Sequence, residues 1–216
     1  MRVNSSNQAP ARETYRHGDL RRALLEAGIE LARAGGPQAV VLREATRRAG
    51  VAPNAAYRHF ASRQALLEAV RMAALSAVAQ AMEKELAGLR RSRDAAAYAR
   101  GSLRAVGTGY LRFAQEETGL FRTGFAPPEP VEQVDPDPAK AGASGLNPFQ
   151  LLGAALDRMV EAGVLPAERR PGAEFLAWSA VHGLALLVID GPLVGLPRKT
   201  TEALGQRLLH MVEKGL

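Results

Sequence analysis

Tyr57, Arg58, His59 and Arg63 lie within seven consecutive residues, and each bears a group able to donate a hydrogen bond to a phosphate oxygen. Such a cluster holds an anion; it does not by itself break a bond. No nucleophile-base pair, phosphate loop or metal-ligand spacing accompanies it in the 216 residues. The four histidines, His17, His59, His182 and His210, are scattered, and the absence of cysteine removes disulfides, thiolate catalysis and every cysteine-ligated metal site. The chain therefore reads as neither an enzyme nor the holder of a metal or cofactor. A plainer reading of Tyr57 and His59 makes them packing residues at a helix end, and Phe60 is read as core.

Donors of this kind work only if short helices present them. Asp19 reads as an N-cap, followed by Leu20, Ala23, Leu24, Ala27 and Leu31 on a 3.6-residue stripe that Gly35-Gly36-Pro37 ends, so a first helix is predicted over 19–34. A second fits 42–49, closed by Gly50, and a third starts at Pro53, where a missing N–H costs nothing, and ends near Phe60. Ser62 caps a long fourth helix reaching about Leu89, with Leu66, Leu67, Val70, Ala74, Val78 and Met82 at helical spacing. Two short helices joined by a tight turn, the second with its N-terminus outward, form the geometry that enters the major groove of DNA. Ahead of them, residues 1–17 read as a flexible basic arm whose Arg12, Arg16 and His17 could add minor-groove contacts.

The stretch Ala49-Gly50-Val51-Ala52-Pro53-Asn54-Ala55-Ala56-Tyr57-Arg58-His59-Phe60-Ala61-Ser62-Arg63-Gln64-Ala65-Leu66-Leu67 resembles the signature of the TetR family of transcriptional regulators, AGVSxxxxYxHFxxKxxLL. The resemblance covers about residues 17–78 and implies a DNA-binding domain over 18–78, with its helix-turn-helix at about 41–60. It implies that Tyr57 and His59 contact phosphates, that Arg63 stands in for the family's usual lysine, and that the start of the third helix (Ala52, Pro53, Asn54, Ala55) reads bases. Few long polar side chains occur there, so base reading falls to Asn54, Tyr57 and Arg43, with alanine methyls meeting thymine methyls. The chain departs from the pattern at Ala52, where a serine or threonine is usual; losing that hydroxyl cap costs roughly 1 kcal/mol of helix stability. Ala45 and Thr46 depart as well, which implies a different packing of the first helices.

Residues 79–216 are read as a ligand-binding and dimerisation domain. Apolar residues recur at three and four with no alternating run, so the whole chain is predicted all-α: helices at about 95–117, 120–124, 148–162, 173–189 and 199–213. Between them, 125–147 carries five prolines, four acidic residues and two glycines, and is predicted disordered or, alternatively, a lid over a pocket. Tyr110-Leu111-Arg112-Phe113-Ala114, Gly119 to Phe125, and Trp178-Ser179-Ala180-Val181-His182-Gly183 resemble the regulatory domain of a TetR subgroup named for its Trp-His-Gly residues, although Thr118-Gly119 replaces the usual His-Pro. One reading has Tyr110, Phe113, Phe121, Phe125, Met159, Trp178 and His182 lining a largely apolar ligand cavity. The other makes Trp178 core and His182 a satisfied core histidine; aromatics at helical spacing favour it for those two. Gly183 would then admit a neighbouring backbone.

The charge is divided. Residues 1–75 carry 12 arginines against six acidic residues, which accounts for the whole net charge of +6, while the other 141 residues balance. A polyanion-binding module joined to a neutral remainder is implied. No uncharged apolar run approaches a membrane span, and the N-terminus lacks an export signal, so a cytoplasmic protein without membrane contact is expected. The helix at 173–189 is apolar around most of its circumference, so the last two helices are expected to pair with those of a second copy. The leading expectation is a dimeric, ligand-responsive repressor acting on a pseudo-palindromic operator. The alternative is a DNA-binding regulator with a solid core and no effector.

Overall fold

The computed structural model describes residues 17–90, 92–126 and 138–216. Its elements are α1 (His17–Gly35), α2 (Leu42–Arg48), α3 (Pro53–Ala56), α4 (Arg63–Ala87), α5 (Ala95–Glu116), α6 (Thr118–Gly124), α7 (Pro148–Glu161), α8 (Ala173–Ile189) and α9 (Arg198–Gly215). Single 3-10 turns stand at Pro37–Ala39, Pro138–Lys140 and Ala167–Arg169. Among the described residues there is no strand, so the fold is all-α.

Periodicity locates most boundaries to within a residue or two. α1 already runs from His17, so Asp19 lies inside its first turn rather than ahead of it. α3 is a single turn, Pro53 to Ala56, and the chain continues as turns through Tyr57 to His59 before Phe60 buries its ring. Ala52 holds the N-cap position in extended conformation with no side-chain hydrogen bond, so this helix starts uncapped and stays short. Gly50, at φ 67°, takes the left-handed conformation that ends α2. Ser62 does cap α4, its hydroxyl accepting from Ala65 N at 3.1 Å.

α4 is the central element. Its buried residues Leu66, Val70, Ala74, Val78 and Met82 face α1 at one end and α5, α6 and α7 further along, so one continuous core extends from Leu24 to Ala177. It is long and apolar enough to cross a membrane by length and composition alone, but those neighbours cover its apolar face. α5 lies close against it because Gly109 has no side chain: a Cβ there would sit 2.6 Å from the Ala81 carbonyl oxygen and the Met82 Cα.

Part of the proline-rich segment is ordered, contrary to the disorder expected for 125–147. Glu83 of α4 accepts hydrogen bonds from Ala143 N and Ser144 N, both at 2.8 Å, and the Ser76 hydroxyl donates to the Ala141 carbonyl at 2.7 Å. Burial acts against ionisation, but the hydrogen bonds from Ser144 and Ala143 prevail and hold the Glu83 carboxyl below its ordinary pKa. Asn147 then starts α7 with a reciprocal capping box to Gln150. Composition forecast too few apolar anchors for this segment; polar anchors supplied by α4 replace them. Residues 127–137 and the basic arm with Arg12 and Arg16 lie outside the described residues.

Candidate nucleic-acid interface and cavity

The N-terminal helices present their donors in two different ways. Arg43, Ala52, Pro53 and Asn54 are exposed, Ala55 and His59 are half-buried, and Tyr57 keeps 58% of its surface in solvent beside the buried Phe60. A tyrosine so exposed is not serving as core. Arg63 is exposed too, yet its guanidinium is already engaged: Nε donates to the Val40 carbonyl and one terminal nitrogen to the Pro37 carbonyl, each at 2.8 Å. It therefore clamps the chain ahead of α2 onto the start of α4, using donors that a lysine in its place could not offer in a fork.

Ion pairing sorts the arginines further. Arg22 pairs with Glu26, Arg33 with Glu30 and Glu117, Arg71 with Glu68, and both Arg47 and Arg48 with Glu44. The hydrogen bond from Arg47 is the chief cause that holds the Glu44 carboxyl down at about 2. Arg43 and Arg58 have no acidic partner among the described residues, and the guanidinium of Arg21 lies 5.2 Å from the centre of the Phe60 ring. The uncompensated charge thus gathers beside α2 and α3, where Tyr57 and His59 also stand.

A second site lies in the other half of the chain. A cavity of about 650 Å³ opens between α4, α5, α6, α7, α8 and α9, within the roughly 300–1,000 Å³ that small-molecule sites occupy. Tyr110, Phe125, Trp178 and His182 line it as expected, whereas Phe113, Phe121 and Met159 do not and are buried in the core. Trp178 and His182 are half-buried on the cavity wall, Trp178 packing against the hydrophobic core and His182 held to Tyr110 of α5 by a hydrogen bond. Gly183 meets nothing within 4 Å where a Cβ would stand, so it admits no backbone of its own chain.

Three of these side chains form a directed chain of hydrogen bonds. Trp178 Nε1 donates to Tyr110 Oη at 3.1 Å, and the Tyr110 Oη and His182 Nδ1 are 2.7 Å apart. Indole N–H can only donate, so the phenol oxygen accepts from it, and the same oxygen shares the second hydrogen bond with Nδ1. Phe121 meets the Tyr110 ring edge-on at 5.3 Å, which helps fix that ring. Burial pushes the Tyr110 hydroxyl up and the His182 imidazole down from their ordinary values, which favours the neutral pair.

Sequence reasoning did not place Arg71, Lys140 and Phe149 on this wall. For Arg71 a signal was present: Leu75 and Met82 face the cavity, and the same stripe carried back one turn of α4 ends on that arginine. Lys140 and Phe149 follow from the ordering of 138–147, which the sequence did not announce.

The pH dependence of stability follows from His182. Its folded-state pKa lies below the ordinary 6.5, so its neutral form contributes stability that is complete above that value and is lost as pH falls from it toward the folded-state value. In urea unfolding, the unaltered chain is expected to lose more stability than His182→Leu between about pH 7.5 and about pH 5.5. Equal losses would mean that His182 is not held neutral.

Comparison with known proteins agrees with this architecture. Residues 24–70 match the family model described as bacterial regulatory proteins, tetR family, and residues 103–212 match that of the tetracyclin repressor-like C-terminal domain. Among solved structures, a protein of unknown function from Rhodococcus sp. RHA1 is 24% identical with a TM-score of 0.73, the alignment covering 95% of this chain and 99% of that one. The TetR family regulator PfmR from Thermus thermophilus is 20% identical over 89% of this chain and 98% of its own, with a TM-score of 0.56. A TetR variant from Acinetobacter baumannii, solved in complex with minocycline, is 19% identical over 89% and 93%, with a TM-score of 0.53. No curated protein matches the chain. With a helix-turn-helix at one end and a family match over half its length at the other, the chain belongs to the TetR family of transcriptional regulators.

Proposed function

We propose that this regulator is a ligand-responsive repressor that binds a pseudo-palindromic operator as a homodimer in the cytoplasm and leaves it when a small, largely apolar effector fills the cavity. One observation carries the reading: the cavity shares its walls with the elements that hold the DNA head. Arg71, Leu75 and Met82 of α4 line it, and Gly124 of α6 with the adjoining Phe125 lines it as well. α4 begins in the head, and α6 packs on α1, where a Cβ on Gly119 would sit 2.3 Å from the Ala32 carbonyl oxygen and 2.4 Å from that of Arg33. Arg33 Nε also donates to Glu117 at 2.7 Å. A ligand that fits only one arrangement of α4 and α6 would bias the head separation. The effector is a small molecule in kind, as is minocycline, with which the Acinetobacter protein was solved in complex. A regulator with no effector would have a filled core here, and the cavity counts against that alternative.

In this reading Tyr57 and His59 hold phosphates, and the exposed start of α3 (Ala52, Pro53, Asn54 and Ala55) meets base edges with Arg43 beside it. Arg63 contributes its positive charge near the backbone while clamping Pro37 and Val40. The dimer forms through α8 and α9. Phe175, Leu176, Leu186 and Leu187 of α8, Val194 of the following turn and Met211 of α9 are exposed large apolar residues, more than a lone chain keeps in solvent without a partner. The open space beside Gly183 falls on the same helix and would let a second α8 approach.

Three outcomes are expected. Tyr57→Phe lowers affinity for a duplex of arbitrary sequence with the salt slope and the urea midpoint unchanged, because a neutral hydroxyl releases no counterion, whereas Arg63→Ala lowers affinity and midpoint and reduces the slope by about 1. Fluorescence anisotropy at stepped salt reads both, and an unaltered affinity in Tyr57→Phe would remove that residue from the interface. Leu176→Glu combined with Leu187→Glu gives a monomer in sedimentation, and a persisting dimer would place the interface elsewhere. Once a duplex has been selected from a random library, compounds that raise the melting temperature of the full chain are expected to weaken its hold on that duplex; stabilising compounds that leave DNA affinity unaltered would exclude a ligand-responsive regulator.

A further inference from the structure

The cavity is apolar over most of its wall, with Leu75, Met82, Leu103, Val106, Val181 and Val212 among its lining residues. Two cations interrupt that wall, Arg71 of α4 and Lys140 of the ordered turn, and no carboxylate lines it among the described residues. They belong to one end of the cavity. The hydrogen bond from the Ser76 hydroxyl to the Ala141 carbonyl, 2.7 Å long, pins the residue after Lys140 to α4 little more than one turn beyond Arg71.

The hydrogen-bonding ledger at that end is incomplete. One terminal nitrogen of Arg71 donates to Glu68 at 3.2 Å, but Nε is buried and has no acceptor. It is the one buried side-chain nitrogen or oxygen left without a partner among the described residues. A donor on a charged group taken out of water with nothing to receive it is costly, and such groups mark places where an absent partner belongs. Lys140 has no ion pair among the described residues either. The side-chain oxygens of Asn147 and Gln150 are engaged, each accepting from the other's backbone N–H at 2.9 Å, and Tyr110 is taken up by Trp178 and His182.

From Arg71 to Met82 the cavity follows α4 for eleven residues, about 16 Å of helix. We infer that the cavity takes an amphipathic monoanion: one carboxylate held by Arg71 Nε and Lys140, on an unbranched or flat apolar body that lies along α4 toward Met82, Leu103 and Val106. This names the class of the effector and rests on the ligand-responsive reading for its regulatory meaning. Binding itself does not depend on that reading. An ammonium would meet two like charges, and a neutral body would leave Arg71 Nε unpaired, so charge sign is the discriminating property.

The test is titration calorimetry on the full chain with decanoate, 1-decanol and decylamine. Decanoate is expected to bind at least tenfold more tightly than either of the others. Arg71→Met is expected to lose at least tenfold in decanoate affinity with decanol binding within twofold, Arg71→Lys to lose less, and Lys140→Met, on a half-buried turn outside the core, to lose severalfold. Equal binding of decanol and decanoate, preference for decylamine, absence of decanoate binding, or unaltered decanoate affinity in both Arg71→Lys and Lys140→Met would each overturn the inference. The regulatory reading is separated by a second readout, anisotropy of the selected duplex. Decanoate that binds through Arg71 without displacing DNA would refute the effector role and leave the anion site standing. Neutral compounds that displace DNA while decanoate does not bind would do the reverse.

Discussion

The buried stripe of α4 is the constraint on which the rest depends. Leu66 and Val70 sit in the core of the head, and Met82 forms part of the cavity wall, so 25 residues of one helix, roughly 37 Å long, belong to both functional sites. A helix packed on both ends responds to a load as a rigid element, because a close-packed core does not deform continuously. In the proposed reading, a ligand in the cavity acts on the orientation of α4, and through it on the position of α3. The clamp from Arg63 to the Pro37 and Val40 carbonyls completes that rigidity by tying the entry to α2 to the first turn of the same helix.

A second mechanical path runs beside it. Gly119 lets α6 press its backbone onto the carbonyl end of α1, and Arg122 at the other side of α6 donates to Asp190 at 2.9 Å and to the Ile189 carbonyl at 3.1 Å. α6 therefore spans from the head to the last turn of α8, the helix that exposes Phe175, Leu176, Leu186 and Leu187. Seven residues of helix with contacts this specific cannot shift without altering either α1 or α8. Communication between cavity and head thus has two supports, and both include cavity-lining residues.

Much of this was legible beforehand, and the reasons are specific. The positions of α2, α4, α7 and α8 follow from apolar spacing, helped by the stop at Gly50 and the cap at Ser62. The short α3 was legible only in hindsight: Ala52 removes the hydroxyl cap, and one turn of helix is what remains. Of the cavity residues, Tyr110, Phe125, Trp178 and His182 are among the sequence's candidates, although helical spacing favours core for Trp178 and His182; Phe113, Phe121 and Met159 are candidates too, because an aromatic or methionine at helical spacing gives no sign of which side of a helix is empty. The ordering of 138–147 was hidden for a different reason. It depends on Glu83, more than fifty residues earlier, whose role as an acceptor for backbone N–H groups has no local signature.

The charge division of the sequence gains a physical meaning from the ion pairs. Among the described head residues, Arg22, Arg33, Arg47, Arg48 and Arg71 pair with acids within a turn or so, Arg47 and Arg48 sharing Glu44. Arg43, Arg58 and Arg63 have no acidic partner there and stand around the turn that carries Tyr57. Pairing two copies through α8 and α9 would then give two compact positive faces rather than one broad one, each about the size of a helix end. A field shaped that way draws in a polyanion and favours one register on it, because moving the dimer along the duplex by a fraction of a turn would take both faces away from the phosphates at once.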